Sequence, residues 1–135
     1  MRVFVYGTLM AGEHYHHLMD GAPFLGEATT TTATVRLVDL GWYPALTRPG
    51  STAVRGELYE VSPELLDRLD ALEEHPDVYL RGPITLADGR RATTYWLDGA
   101  EGVTIDCGHW PTYRSQLATR RHAEGSVWPR KTNGR

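Results

Sequence analysis

Only one stretch of this 135-residue chain carries a clear helical period, and it is short. Between Ser62 and Pro76 ("SPELLDRLDALEEHP") the leucines fall at Leu65, Leu66, Leu69 and Leu72. That spacing gathers apolar side chains on one face of a helix. Ser62 suits the N-cap and Pro63 the first helical position, while Pro76 predicts the stop. Most of the remainder reads as strands, at residues 1–6, 53–61 and 29–40, the last as one long or two shorter strands. Residues 78–86 and 91–97 read as a hairpin around Asp88-Gly89. Residues 41–50 hold Pro44, Pro49, Trp42 and Tyr43 and read as a loop. Weaker helical signals lie at Glu13 to Met19 and Pro111 to Arg121, and the last ten residues read as partly ordered or loose. The order is not a regular βαβ alternation. It predicts an α+β fold, a mainly antiparallel mixed β-barrel with one main packed helix and few flanking ones. Without internal repeats or a long linker, one domain over residues 1–135 is expected.

Composition narrows the function classes. Apolar residues make up 41% and charged residues 23%, with a net charge of −3, so the chain reads as globular rather than disordered. The basic residues are unevenly placed. From Trp110 onward there are six Lys or Arg against Glu124 alone. Such a tail is more simply a solvated segment than a phosphate-binding one. No stretch approaches a membrane span, and the apolar run after Met1-Arg2 is too short for a signal peptide. The single Cys107 cannot form an internal disulfide, so a reducing cytoplasm is expected, with Cys107 as a small packing residue.

Two features carry chemistry. With Leu65 at zero on a wheel of about 100° per residue, Leu69 falls near 40°, Leu72 near −20°, Leu66 near 100° and Glu73 near 80°. Glu73 thus lies inside the leucine arc, whereas Glu64, Asp67, Asp70 and Glu74 lie outside it. The helix dipole disfavours an anion in the last turn, and partial burial does the same, so both favour the protonated acid. That is the range useful for general acid–base work. The phase leaves two placements open, Glu73 turned into the core or a frayed helix end with the side chain in solvent. The second feature is "VFVYGTLMAGE", a strand running straight into Gly7-Thr8. Glycine permits the φ > 0 backbone of an anion-binding nest. From the residues alone, a plain strand-to-helix turn is the simpler account. No Lys follows at P-loop spacing, the dinucleotide fingerprint is incomplete, and no G-x-S-x-G elbow appears. "EHYHH" places Glu13, His14 and His17 close together, but it matches neither H-E-x-x-H nor a Cys-containing zinc pattern, so no metal is expected.

Taken together, "VFVYGTLMAGE", "GWYPAL" at 41–46, "VRGELYEV" at 54–61 and "LDALEEHPDVYLR" at 69–81 resemble the γ-glutamylcyclotransferase-like family. That family includes γ-glutamylamine cyclotransferases and small AIG2-like bacterial proteins. The resemblance spans about residues 3–97 and leaves 107–135 unassigned. It implies an antiparallel barrel with flanking helices and a cavity between the "YGTL" loop and the helix. The family's catalytic carboxylate falls on Glu73, fixed in register by Leu69-Asp70 before it and Pro76, Tyr79 and Arg81 after it. The substrate loop falls on Tyr6, Gly7, Thr8 and Leu9, whose backbone would hold a glutamyl α-carboxylate.

The implied reaction closes a γ-glutamyl group to 5-oxoproline and releases a free amine without a cofactor. Glu73 would act as base and then acid, with Tyr6, Tyr79 or backbone N–H groups polarising the γ-carbonyl. The alternative is a non-catalytic small-molecule binding module on the same fold. A third reading is the same chemistry on a larger conjugated metabolite. The expected partner is a small γ-glutamyl compound, with no nucleic acid and no membrane, and the chain is expected to be a monomer or at most a weak dimer.

Overall fold

The apolar run at the start of the chain has no polar position because its strand has no solvent face. In a computed structural model that describes residues 1–31 and 35–124, β1 spans Arg2–Val5. Its side chains alternate between two cores, Val3 and Val5 into one, Phe4 and the following Tyr6 into the other. A strand buried on both faces reads as a continuous apolar run. β1 pairs antiparallel with β5 (Arg55–Glu60) and parallel with β7 (Arg91–Trp96). β2 (Phe24–Thr29) and β6 (Leu80–Thr85) complete a five-stranded sheet in the order β2-β5-β1-β7-β6. A second sheet has the order β4-β3-β8, with β3 at Arg36–Asp39, β4 at Pro44–Thr47 and β8 at Val103–Thr104.

The architecture is α+β with mixed sheets, and the expected closed barrel is not what the strand pairing draws. The edge strands β2 and β6 meet just beyond their ends, at the Thr30–Leu86 bridge and through the Ala87 N–H donating to Thr29 O at 2.8 Å. The five-stranded sheet therefore curls, but among the described residues no ladder joins the two edges.

Residues 41–50 are not the loop the prolines suggest. Residues 44–47 form β4 and are buried throughout. Pro44 is tolerated because it is the first residue of a strand at the edge of its sheet. The segment from Glu13 is a run of turns ending in one 3-10 turn, His16–Met19, rather than a short α-helix. Cys107 is exposed, not packed. It sits in a tight turn closed by the Gly108 N–H on Ile105 O at 2.9 Å, which leaves its side chain outside. The C-terminal helix α2 runs from Trp110 to Glu124, longer than expected. The expectation for the last ten residues lies outside the described ones.

The one clear helix of the sequence is α1, Pro63–Leu72, and it begins as expected: Ser62 Oγ accepts the Leu65 N–H at 3.1 Å. Leu65 and Leu69 are buried in the core that holds Val3 and Val5. Burial of that kind is worth about 1.5–3 kcal/mol per side chain. The helix stops at Leu72, well before Pro76, because its end is closed by main-chain bonds. The Glu74 N–H donates to Ala71 O at 3.2 Å and the His75 N–H to Asp70 O at 2.9 Å. These are the paired bonds of a Schellman motif. Glu73 is the C-cap, and Glu74 takes the left-handed position at φ 54°. A side chain there costs about 1–2 kcal/mol, less than the two buried leucines contribute, so the motif holds without its usual glycine. Replacing Glu74 by Gly is expected to stabilise the fold by about 0.5–1 kcal/mol in a denaturant melt, after the greater unfolded-state freedom of glycine offsets part of the gain. Destabilisation by that substitution would contradict this reading of the helix end.

Candidate active site

One cleft lies where the end of β1, the β3–β4 hairpin and the end of α1 converge. It is lined by all six residues singled out in the sequence: Tyr6, Gly7, Thr8, Leu9, Glu73 and Tyr79. Tyr15, Tyr43, Pro44 and Tyr95 complete the walls the chemistry would use. The Schellman turn decides which of two adjacent carboxylates enters. It leaves Glu73 partly buried in the cleft and Glu74 exposed. Glu73 is held through its backbone as well, its carbonyl accepting the Tyr79 N–H at 3.2 Å. Among the described residues lining the cleft, Glu73 is the one carboxylate.

The loop after β1 is ordered by its carbonyls. Gly7 O accepts the Met10 N–H at 3.0 Å, Thr8 O the Tyr15 N–H at 2.8 Å, and Leu9 O the His16 Nδ1–H at 2.9 Å. A trans peptide is planar, with C=O and the next N–H opposed. The Thr8 and Leu9 N–H groups therefore point away from the partners of the Gly7 and Thr8 carbonyls. Among the described residues, no acceptor is recorded for the N–H of Gly7, Thr8 or Leu9. Successive N–H groups aimed outward from one turn form an anion site. Gly7 matters for a different reason than the sequence suggested. It is not among the glycines with positive φ. Instead, a Cβ on Gly7 would lie 2.7 Å from Pro44 Cγ, so the loop and β4 meet only because none is there.

The tyrosines have defined roles. Tyr6 donates to Tyr95 O at 2.7 Å and accepts the Leu46 N–H at 3.2 Å, joining β7 to β4. Tyr79 donates to Pro44 O at 3.1 Å. Tyr95 donates to Asp70 Oδ1 at 2.6 Å, and the other Asp70 oxygen pairs with Arg81. Burial raises the Tyr95 hydroxyl first, then the hydrogen bond and charge of Asp70, with the Glu73 charge adding to them. Tyr95 therefore stays protonated and is not a base. Asp70 bonds a cleft tyrosine although the helical wheel places it outside the arc. Its partners come from β6 and β7, far along the chain, and only the family spacing that included Asp70 and Arg81 pointed to it.

Of the histidines, His16 rather than His14 or His17 bears on the loop, through Leu9 O. Among the described residues no three His, Cys, Asp or Glu side chains gather as a metal site. The close approach at Pro44 yields a test. Gly7→Ala is expected to cost about 1–3 kcal/mol in thermal or denaturant stability through overpacking. An unchanged melting temperature would show that the loop and Pro44 are not in contact.

Comparisons with known proteins give the family. The family described as gamma-glutamyl cyclotransferase, AIG2-like, matches residues 3–112. A gamma-glutamylcyclotransferase family protein, ytfP of Citrobacter rodentium, is 35% identical over 111 residues, covering 82% of this chain and 95% of that protein. CG2811 of Drosophila melanogaster is 41% identical over 93 residues, and there the match covers 63% of this chain and 59% of that longer protein. Among solved structures, PH0828 of Pyrococcus horikoshii superposes with a TM-score of 0.74 at 27% identity, covering 90% of this chain and 99% of that one. An aig2-like protein of Mus musculus gives a TM-score of 0.65 at 28% identity over 84% of this chain and 81% of that one. The chain thus belongs to the gamma-glutamyl cyclotransferase, AIG2-like family.

Proposed function

We propose that the protein is a γ-glutamyl cyclotransferase that converts a γ-glutamyl amide or amine conjugate into 5-oxoproline and a free amine. One observation carries the reading: Glu73, the one carboxylate among the described cleft residues, shares its cavity with the loop residues Gly7, Thr8 and Leu9. The amides would hold the substrate α-carboxylate and so set the adjacent amine beside Glu73. Glu73 takes a proton from the α-ammonium, and the freed amine attacks the γ-carbonyl carbon. A carbon–nitrogen bond closes the five-membered ring, and the original γ-amide bond breaks. Overall, two protons leave the α-nitrogen and two reach the departing nitrogen, which is released as an ammonium. Glu73 serves as base and then as acid.

Backbone N–H groups are the donors suited to the developing oxyanion, because the Tyr6 and Tyr79 hydroxyls already donate to main-chain carbonyls. Orientation of the two reacting ends can contribute about 7–11 kcal/mol. Nucleophile and electrophile belong to one molecule, so the scheme uses no cofactor and no metal. The reading is of a cytoplasmic monomer, or at most a weak dimer, acting on small molecules. No helix among the described residues is long and apolar enough to cross a membrane.

The test is 5-oxoproline release from a panel of γ-glutamyl amines, dipeptides and larger conjugates. Glu73→Gln should lower kcat at least about 100-fold with a native-like fold, and Glu74→Gln should stay within about twofold. Equal loss in both variants would refute the assignment. Tight 5-oxoproline binding with no turnover of any conjugate would favour the binding-module alternative. Activity should survive chelator treatment and the joint change of His14 and His17 to Ala. Loss with chelator and recovery with zinc would overturn the metal-free scheme.

A further inference from the structure

Two adjacent residues of α2 bond to two different segments that carry cleft-lining residues. The Tyr113 hydroxyl donates to Asp39 Oδ2 at 2.7 Å, and Asp39 Oδ1 accepts the Gly41 N–H at 2.6 Å. Asp39 thereby fixes the Gly41-Trp42 turn, which the Leu40 N–H closes on Tyr43 O at 3.0 Å. That turn delivers Tyr43 and Pro44 to the cleft. One residue on, Arg114 pairs with Glu13, in the segment that brings Tyr15 to the other wall. The Glu13 side chain is only 9% exposed and Arg114 is 52% exposed, so the carboxylate is the desolvated partner and the arginine reaches in to it. Removing the arginine would leave a largely buried anion without its counter-charge. Trp110, buried in the second core, stacks on Tyr113 with ring centroids 6.0 Å apart and fixes the helix start. Burial and the Asp39 contact push the Tyr113 hydroxyl up to about 12, so the bond keeps its proton across the working pH range.

Tyr113 and Arg114 lie just past the stretch the family match covers, which ends at residue 112. We propose that α2 is a brace that sets the separation of the cleft walls, with Tyr113 and Arg114 as positioning residues for binding of the γ-glutamyl substrate. This rests on the cyclotransferase reading for its substrate. The brace itself is a property of the fold. Because neither residue lines the cleft, loss of the brace should act on substrate binding and not on the chemical step.

The experiment uses Tyr113→Phe, which keeps the ring on Trp110, and Arg114→Gln, singly and together, with two readouts. In steady-state 5-oxoproline release, each variant should raise KM about three- to tenfold while kcat stays within about twofold. Arg114→Glu should be worse than Arg114→Gln, and adding Glu13→Arg should restore much of the loss. Independently of turnover, amide hydrogen exchange should quicken at Tyr15 in Arg114→Gln and at Leu40 in Tyr113→Phe, by about tenfold, with α1 unchanged. An unchanged KM in the double variant, a fall in kcat alone, or exchange raised uniformly across the fold would overturn the brace. Should the wild-type protein release no 5-oxoproline from any conjugate, the substrate assignment fails, and the local exchange pattern alone decides whether α2 braces the cleft.

Discussion

Burial of β1 on both faces is the constraint from which the site follows. Val3 and Val5 tie the strand to the core under α1, and Phe4 and Tyr6 tie it to the core that also holds Trp96 and Trp110. The strand cannot shift by one residue without exchanging those two sets of side chains. Its exit is therefore fixed in space, and the chain leaves it at Gly7 against Pro44. The carbonyls of the next residues turn to internal donors, Gly7 O to Met10 and Thr8 O to Tyr15. The proposed anion-binding turn is thus placed by a strand that has nowhere else to go.

The opposite side of the cleft depends on how α1 ends. Two main-chain hydrogen bonds send neighbouring glutamates to different environments, Glu73 into the cleft and Glu74 into solvent. The Tyr95–Asp70–Arg81 contacts then attach the last turn of α1 to β6 and β7. The hydroxyl protons of Tyr6, Tyr79 and Tyr95 are directed to acceptors of the chain itself, and the proposed mechanism accordingly uses Glu73 and backbone N–H groups.

Much of this was legible in the residues. The capped leucine helix, β1, β5 and the β6–β7 hairpin are local patterns, and Glu73 stood out by helical phase before any family register was applied. The failures have physical causes. β4 was hidden because Pro44 reads as a loop former, although the edge of a sheet tolerates it at the start of a strand. The positive φ expected at Gly7 is not found, and the contact with Pro44 that excludes a Cβ there joins positions nearly forty residues apart. The partners of Asp70 and the reach of Tyr113 and Arg114 are equally non-local. Of these, only Arg81 stands in a spacing that the family resemblance uses. Cys107 is exposed although cysteine is usually buried, because its turn faces outward.

The central claim is that the γ-amide is opened by the substrate's own amine and not by water. Turnover in water enriched in oxygen-18, followed by mass spectrometry of the product, tests it directly. Ring closure keeps the original γ-oxygen, so the account predicts 5-oxoproline without added label and one free amine per ring formed. Labelled glutamate as the first product would show that Glu73 activates water instead, and would contradict the cyclisation.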